Sequence, residues 1–197
     1  MVHKKLIIKN MSCHCCLKLV TRILSDAGVA VVYAKLGEAE IIFDPHNINL
    51  PQIAKLLEVD GFEIVNDKEK QLVEQIKSAI IDLIYYSTYN AMVRNSDYLV
   101  ERFGLSYQYI STIFSKQEQI TLEKFIIHHK IERAKELIQY NELTLSEIAY
   151  MMGYSSVQYL STQFRAITGI SVSEYKKDPG EYRTSLKSAI NPNDDQG

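Results

Sequence analysis

Cys13, His14, Cys15 and Cys16 stand side by side, and they include every cysteine of this 197-residue chain. Cys and His are the side chains that bind soft metals or carry out redox work, with the thiolate as the active form of Cys. The spacing narrows the choice. Two thiols three residues apart, at a loop-to-helix junction, can converge on one ion, and a helix N-terminus favours their anionic forms. A pair of thiolates suits a soft, low-coordinate ion such as Cu(I). Zinc suits it less. It takes four ligands, and the adjacent Cys15 and Cys16 do not easily turn to one ion together with Cys13 and His14. Ag(I) and Hg(II) would bind such a pair adventitiously. His14 is expected to face solvent. Cys15 is left open as a third thiolate, a redox partner or a small buried side chain. The chain has no phosphate-binding glycine loop, no Gly-x-Ser-x-Gly and no His-Glu-x-x-His, so it reads as a non-enzyme with no organic cofactor.

The elements around the cluster must position it. Residues 4–9 read as a strand, and 16–27 carries Leu17, Val20, Ile23 and Leu24 at helical spacing, with Gly28 as the stop. Two β-rich runs follow at 30–35 and 40–43, with Gly37 in the turn between them. Pro51 marks the start of a helix over 50–57, and 62–65 makes a last strand. The order βαββαβ is that of a ferredoxin-like unit. In that setting Met11-Ser12-Cys13-His14-Cys15-Cys16 resembles the Met-x-Cys-x-x-Cys loop of the heavy-metal-associated domain found in copper chaperones, over about residues 3–67. The resemblance implies Cys13 and Cys16 as metal ligands, with Cys15 and His14 as further candidates, and Met11 turned inward as packing. Two features need noting: Asn10 stands where the family has Gly, and Phe62 lies in the late loop near the metal.

Composition sets the frame. Hydrophobic residues make up 46% and charged residues 23%, ordinary values for a globular protein. No apolar run approaches the roughly 18–20 residues that span a bilayer. The N-terminus lacks a signal-peptide layout, because Lys9 and Asn10 end the apolar run early. A cytoplasmic protein with reduced thiols and no membrane partner is therefore expected. The net charge of −2 disfavours a non-specific nucleic-acid coat but leaves sequence-specific binding through one face open.

Residues 67–70 (DKEK) form the candidate linker, leading into 71–86, where Leu72, Val73, Ile76, Ile80, Leu83 and Ile84 make an apolar helical face. That helix reads either as packing for the next domain or as a lever or dimer helix. Beyond it, Ser96 is a plausible N-cap for 97–103, followed by Gly104-Leu105-Ser106 and a second helix over 107–116, a helix-turn-helix layout. The pattern recurs at 145–152, Gly153-Tyr154-Ser155 and 156–168, with Leu99 matching Ile148, Gly104 matching Gly153 and Phe114 matching Phe164. Between the two, 122–140 has no Gly or Pro and reads as one long helix. It would hold the motifs apart so that each enters a successive major groove. His128-His129 within it diverge by about 100° and make a poor chelate.

The stretch 78–177 resembles the AraC-type DNA-binding domain, on the runs KIERAKELI from Lys130, LSEIAYMMGYSS from Leu145 and FRAITGISVSEYKK from Phe164. Val172 stands where that family has Pro, and Gln119 where the first motif often has Gly. The resemblance implies a first recognition helix presenting Gln108, Tyr109, Ser111, Thr112 and Lys116 to DNA. A second would present Val157, Gln158, Tyr159, Ser161 and Thr162, with Ser155, Ser156 and Arg165 on phosphates. Between Lys77 and Asp178 there are eleven Lys and Arg against eleven Asp and Glu. Affinity then cannot rest on net charge, which favours a homodimer or a well-matched site.

The expected organisation is an α+β ferredoxin-like domain (1–67), a connector helix (68–95), an all-α double helix-turn-helix domain (96–177) and a polar tail (178–197). The expected function is a bacterial transcriptional regulator that reads a double-stranded operator in response to Cu(I). The alternatives are a regulator whose metal-type domain is vestigial or serves dimerisation, and a thiol redox sensor.

Overall fold

The computed structural model describes residues 1–87 and 94–177, and the chain divides into two compact units, Met1–Asp82 and Leu83–Gly197. The polar tail expected at 178–197 and residues 88–93 of the expected connector lie outside the described residues. Among those described, no helix is long and apolar enough to cross a membrane.

The first unit is a small antiparallel sheet with helices. Its elements are β1 (Val2–Lys9), α1 (His14–Asp26), β2 (Ala30–Lys35), β3 (Glu38–Phe43), α2 (Leu50–Val59) and β4 (Glu63–Ile64), and the sheet order is β2-β3-β1-β4. β1 is central. It pairs with β3 from Val2↔Phe43 to Ile7↔Glu38 and with β4 through Ile8↔Ile64. Leu6 and Ile8, two residues apart on one face, join Val20 and Leu24 of α1 and Ile53 and Leu57 of α2 in a single buried cluster. α2 starts where Pro51 indicates, and Asn49 and Gln52 close a capping box around its first turn.

The other face of the sheet is covered as well, since Ile7, Leu36 and Val65 are also buried. The cover is the first part of α3 (Lys68–Tyr86): Gln71 Nε2 donates to the Val65 carbonyl at 2.7 Å and Gln75 Nε2 to the Glu38 carboxylate at 3.4 Å. Residues 67–70 are therefore not a linker. Asp67 Oδ1 accepts from the Lys70 N–H at 2.9 Å, as an N-cap does, so the charged run is the first turn of the helix. The division between the two units falls inside α3, after Asp82.

The second unit is helical: α4 (Asn95–Phe103), α5 (Tyr107–Glu118), α6 (Leu122–Tyr140), α7 (Leu145–Met151), α8 (Val157–Thr168) and α9 (Val172–Lys177). α6 is its axis, packing on α5, α7 and α8. Its ends fall where the pattern puts them because Thr121 caps the Lys124 N–H and Asn141 takes a left-handed conformation at the other end. The Phe125 ring lies 5.2 Å from Phe114 of α5, and Phe164 of α8 lies 5.5 Å from Tyr175 of α9. His129 is buried with its ring 4.4 Å from Phe125, a packing role.

One helix start differs from expectation. Ser96 is inside α4 and does not cap it, because its hydroxyl donates to the Asp97 carboxylate and the helix begins at Asn95 behind Arg94. Val172 occupies the first position of α9, where a fixed φ would be welcome but is not required, and it is buried there.

Candidate functional site

The thiol loop sits between β1 and α1. Asn10, the residue in the family's glycine position, has φ 71°, and Asn is among the few non-glycine residues that reach this left-handed region cheaply. Its Nδ2 donates to the Gly61 carbonyl at 2.7 Å, tying the turn to the loop before β4. The turn is thus kept in the conformation a glycine would adopt. Met11 then points inward into the core, and Phe62 is buried in the same cluster. The chain enters α1 with Cys13 as N-cap, its Sγ accepting from the Cys16 N–H at 3.4 Å.

This capping geometry brings the two sulfurs together. Cys13 Sγ and Cys16 Sγ are 3.2 Å apart, both part-buried and both free thiols. Cys15 and His14 are exposed, and among the described residues no group of three or more His, Cys, Asp or Glu is assembled that could hold a metal. Neither joins the pair. The donor set fits a soft ion held by two thiolates and does not fit tetrahedral zinc.

The two thiols are inequivalent. Burial pushes the Cys13 thiol up, and its neighbour Cys16 adds to that. Burial acts on Cys16 in the same sense but is outweighed: hydrogen bonds from the Cys13 thiol, from Ser12 and from the Cys13 backbone lower it. Cys16 is accordingly the sulfur that ionises first, with Cys13 as its donor. Ser12, whose hydroxyl lies 4.0 Å from Cys16 Sγ, belongs to the site. Sequence reading gives it no role, because a small polar residue inside a loop carries no signal of its own.

In the second unit each helix-turn-helix positions one exposed helix. α4 ends at Gly104 with φ 64°, and Ser106 caps α5 by accepting from the Tyr109 N–H. α7 opens with a Thr144–Glu147 capping box, and Ser156 caps α8 by accepting from the Tyr159 N–H. The α5 side chains Gln108, Tyr109, Thr112 and Lys116 are exposed and Ser111 is half-buried. In α8, Gln158, Tyr159, Thr162 and Arg165 are exposed, Val157 and Ser161 half-buried. Ile110, Ile113, Phe114, Leu160 and Phe164 are buried beneath them. Ser155 is exposed in the turn, while the Ser156 oxygen is committed to its cap.

α6 supplies a polar layer behind these helices. The Lys130 ammonium lies 5.7 Å from the Tyr154 ring centre, and burial pushes its pKa down to about 8. Lys135 bonds both carboxylate oxygens of Glu132 at 3.0 Å. Both lysines are inside the unit and are not surface cations for a nucleic acid.

Residues 99–178 match the family model described as a helix-turn-helix domain. The C-terminal part of the chain is a helix-turn-helix domain of the AraC type. Similar proteins include the Msm operon regulatory protein of Streptococcus mutans, 26% identical over 129 residues, which cover 64% of this chain and 44% of that protein. The uncharacterized HTH-type transcriptional regulator YijO of Escherichia coli is 31% identical over 108 residues, 55% of this chain and 36% of that protein. This chain thus spans less than half the length of either. Among solved structures, the C-terminal domain of the two-component response regulator YesN from Fusobacterium nucleatum is 29% identical with a TM-score of 0.45, covering 52% of this chain and 98% of that one.

Proposed function

We propose that this protein is a transcriptional regulator that reads double-stranded operator DNA with α5 and α8 and takes its input from a soft metal ion, Cu(I) foremost, at Cys13 and Cys16. The observation that carries the input half is the pair of sulfurs 3.2 Å apart at the N-terminus of α1, with no third ligand among the described residues. Ag(I) and Hg(II) share the chemistry; Zn(II) is the poorer match. The strand order β2-β3-β1-β4 and the loop's place between β1 and α1 support reading the first unit as a ferredoxin-like, heavy-metal-associated domain. The exposed polar faces of α5 and α8, each preceded by a tight turn, support the output half. A target of this kind places the protein's work in the bacterial cytoplasm. The even balance of charge over the second unit means that net charge alone cannot carry affinity, which favours a homodimer.

Regulation requires only that the two DNA-binding states differ in metal affinity. α3 contributes side chains to both units: Gln71 and Gln75 to the first, and to the second Tyr85, whose ring lies 6.3 Å from that of His129. That makes α3 the element through which loop occupancy would bias the helical unit.

The test is an anaerobic Cu(I) titration reading operator affinity in the wild type and in the double variant Cys13→Ser/Cys16→Ser. The expected result is a metal-dependent change of about tenfold, the middle of the usual coupling range, that the double variant loses. Equal affinity with and without Cu(I) in the wild type would remove the sensing reading and leave the first unit as an interaction module. The sulfur separation also favours a second reading, a thiol redox sensor, because closing 3.2 Å to the bonded distance of about 2.05 Å needs only a small shift. A response to peroxide and not to Cu(I) would select it.

A further inference from the structure

The two exposed helices of the second unit carry the same surface. Residues 108, 109, 111 and 112 are Gln, Tyr, Ser and Thr, and so are residues 158, 159, 161 and 162, each set over a buried Phe, 114 or 164. The match extends to the backbone. α5 and α8 are both 12 residues long, both capped by a serine whose oxygen accepts from the third helical N–H, and both closed by a left-handed residue, Gln119 (φ 58°) and Gly169 (φ 80°). Thr112 Oγ1 donates to the Gln108 carbonyl at 2.7 Å, and Thr162 Oγ1 donates to the Gln158 carbonyl at 2.9 Å. Tyr109 and Tyr159 are each 49% exposed.

Packing does not require this identity. Gln, Tyr and Thr at these positions are exposed in both helices, whereas beneath and beside them only the buried Phe114 and Phe164 agree, with Ile110 against Leu160, Ile113 against Gln163 and Lys116 against Ala166. The helices that precede them, NSDYLVERF and LSEIAYM, differ more still. A duplication that simply drifted would lose its exposed positions first; here Gln, Tyr and Thr on the exposed face are held in common. Outside the shared positions the helices differ, at Tyr107 against Val157 and Ser115 against Arg165, and the Tyr154 ring lies 5.6 Å from Tyr159, propping the second tyrosine.

We infer that α5 and α8 read the same short base sequence, so that one protomer recognises one word written twice. This rests on the reading of both helices as DNA-contacting. Gln108 and Gln158 are placed to bond an adenine edge in two directions, and the Thr methyls to meet a thymine methyl. The two copies should lie about one helical turn apart, 10–10.5 base pairs between centres. α6, about 28 Å long at 1.5 Å per residue, spans between the motifs on that scale. The flanks of the two copies are expected to differ, because the cations differ: Lys116 serves the first helix and Arg165 the second.

The experiment is a binding selection from a fully randomised double-stranded DNA library with the full chain, with and without Cu(I), followed by sequencing. The expected product holds two copies of one word at that spacing. Gln108→Ala should lower affinity for it about tenfold and relax one copy only, and Gln158→Ala should do the same to the other copy at the same base. Gln108→Arg and Gln158→Arg should each move the preferred base of one copy from adenine to guanine. Both positions are on exposed surface, and circular dichroism of each of the four variants checks that the fold is retained. Enrichment of two unrelated words, or of a single word, overturns the inference while leaving DNA binding in place. No enrichment under either condition overturns the DNA-binding reading as well.

Discussion

The two units place their functional groups in opposite ways. In the first, the candidate chemistry rests on two sulfur atoms, and their position depends on one turn: Asn10 in a left-handed conformation, Met11 buried, Cys13 capping α1. In the second, it is spread over two helix faces of several side chains each, none of them buried in the core. The first design concentrates function where small backbone changes matter. The second depends on the core that holds two helices in place, and its fold tolerates the loss of any one surface group. Substitutions should therefore separate stability from function cleanly in the first unit and only at the surface in the second.

The largest expected effect is on the second unit's core. Phe164 is fully buried against Tyr175, and Phe164→Ala should destabilise the unit by about 3–5 kcal/mol, read by urea denaturation, with DNA binding lost as a consequence. The comparison would break if Cys13→Ser/Cys16→Ser cost a similar amount. Both thiols are only part-buried, Cys16 at the edge of the core, and a serine at 13 can still cap α1, so the double variant should stay within about 1 kcal/mol of wild type while losing Cu(I) binding.

Next is the contact between β3's turn and α3. Gly37 has φ 73°, and a Cβ there would sit 2.1 Å from Ser78 Oγ. Gly37→Ala should cost about 1–3 kcal/mol through the forced shift, with left-handed strain added. Pairing it with Ser78→Gly should recover the part due to the clash and leave the part due to φ. Additive losses in that double variant would show that α3 does not press on the turn in solution.

Much of this arrangement is legible in the sequence, for physical reasons that differ by element. α6 is read correctly at both ends because Thr121 and Asn141 are themselves the caps. β2 is likewise bounded by local turn residues. β4 is not: only Glu63 and Ile64 of 62–65 pair, since pairing depends on β1, far away in the chain. The charged run 67–70 looks like a linker by composition and becomes helix because Asp67 caps it and the sheet offers Ile7, Leu36 and Val65 for α3 to cover. No local pattern announces that second covered face. At the candidate site, the Cys13–Cys16 pair follows from spacing, whereas the exclusion of Cys15 and His14 depends on where α1 begins. Asn10 and Gln119 show why departures from a family pattern can be silent. Each reaches the left-handed conformation of the glycine it stands for, and Gln119 Nε2 donates to the Lys116 carbonyl. Asn10→Gly should accordingly cost only the exposed bond to Gly61, and Asn10→Ala about 1–2 kcal/mol, since Ala pays for φ and loses the bond too. A larger loss in Cu(I) affinity than in stability for Asn10→Ala would show that the turn positions the sulfurs.

The smallest effect distinguishes the units by pH. His128 in α6 is half-buried, and burial holds its imidazole below the ordinary value of 6.5, with the nearby Lys135 acting in the same sense and Glu132 against it. The folded state thus prefers the neutral ring. As pH falls through 6.5 the unfolded chain takes up the proton first, so stability is whole above that pH and declines below it until the folded-state pKa is passed. His128→Asn should flatten this slope for the helical unit's transition and leave the first unit's untouched. Urea midpoints between pH 5 and 8 for the wild type and the variant make the comparison. A slope in the helical unit that survives His128→Asn would assign the acid sensitivity to another group.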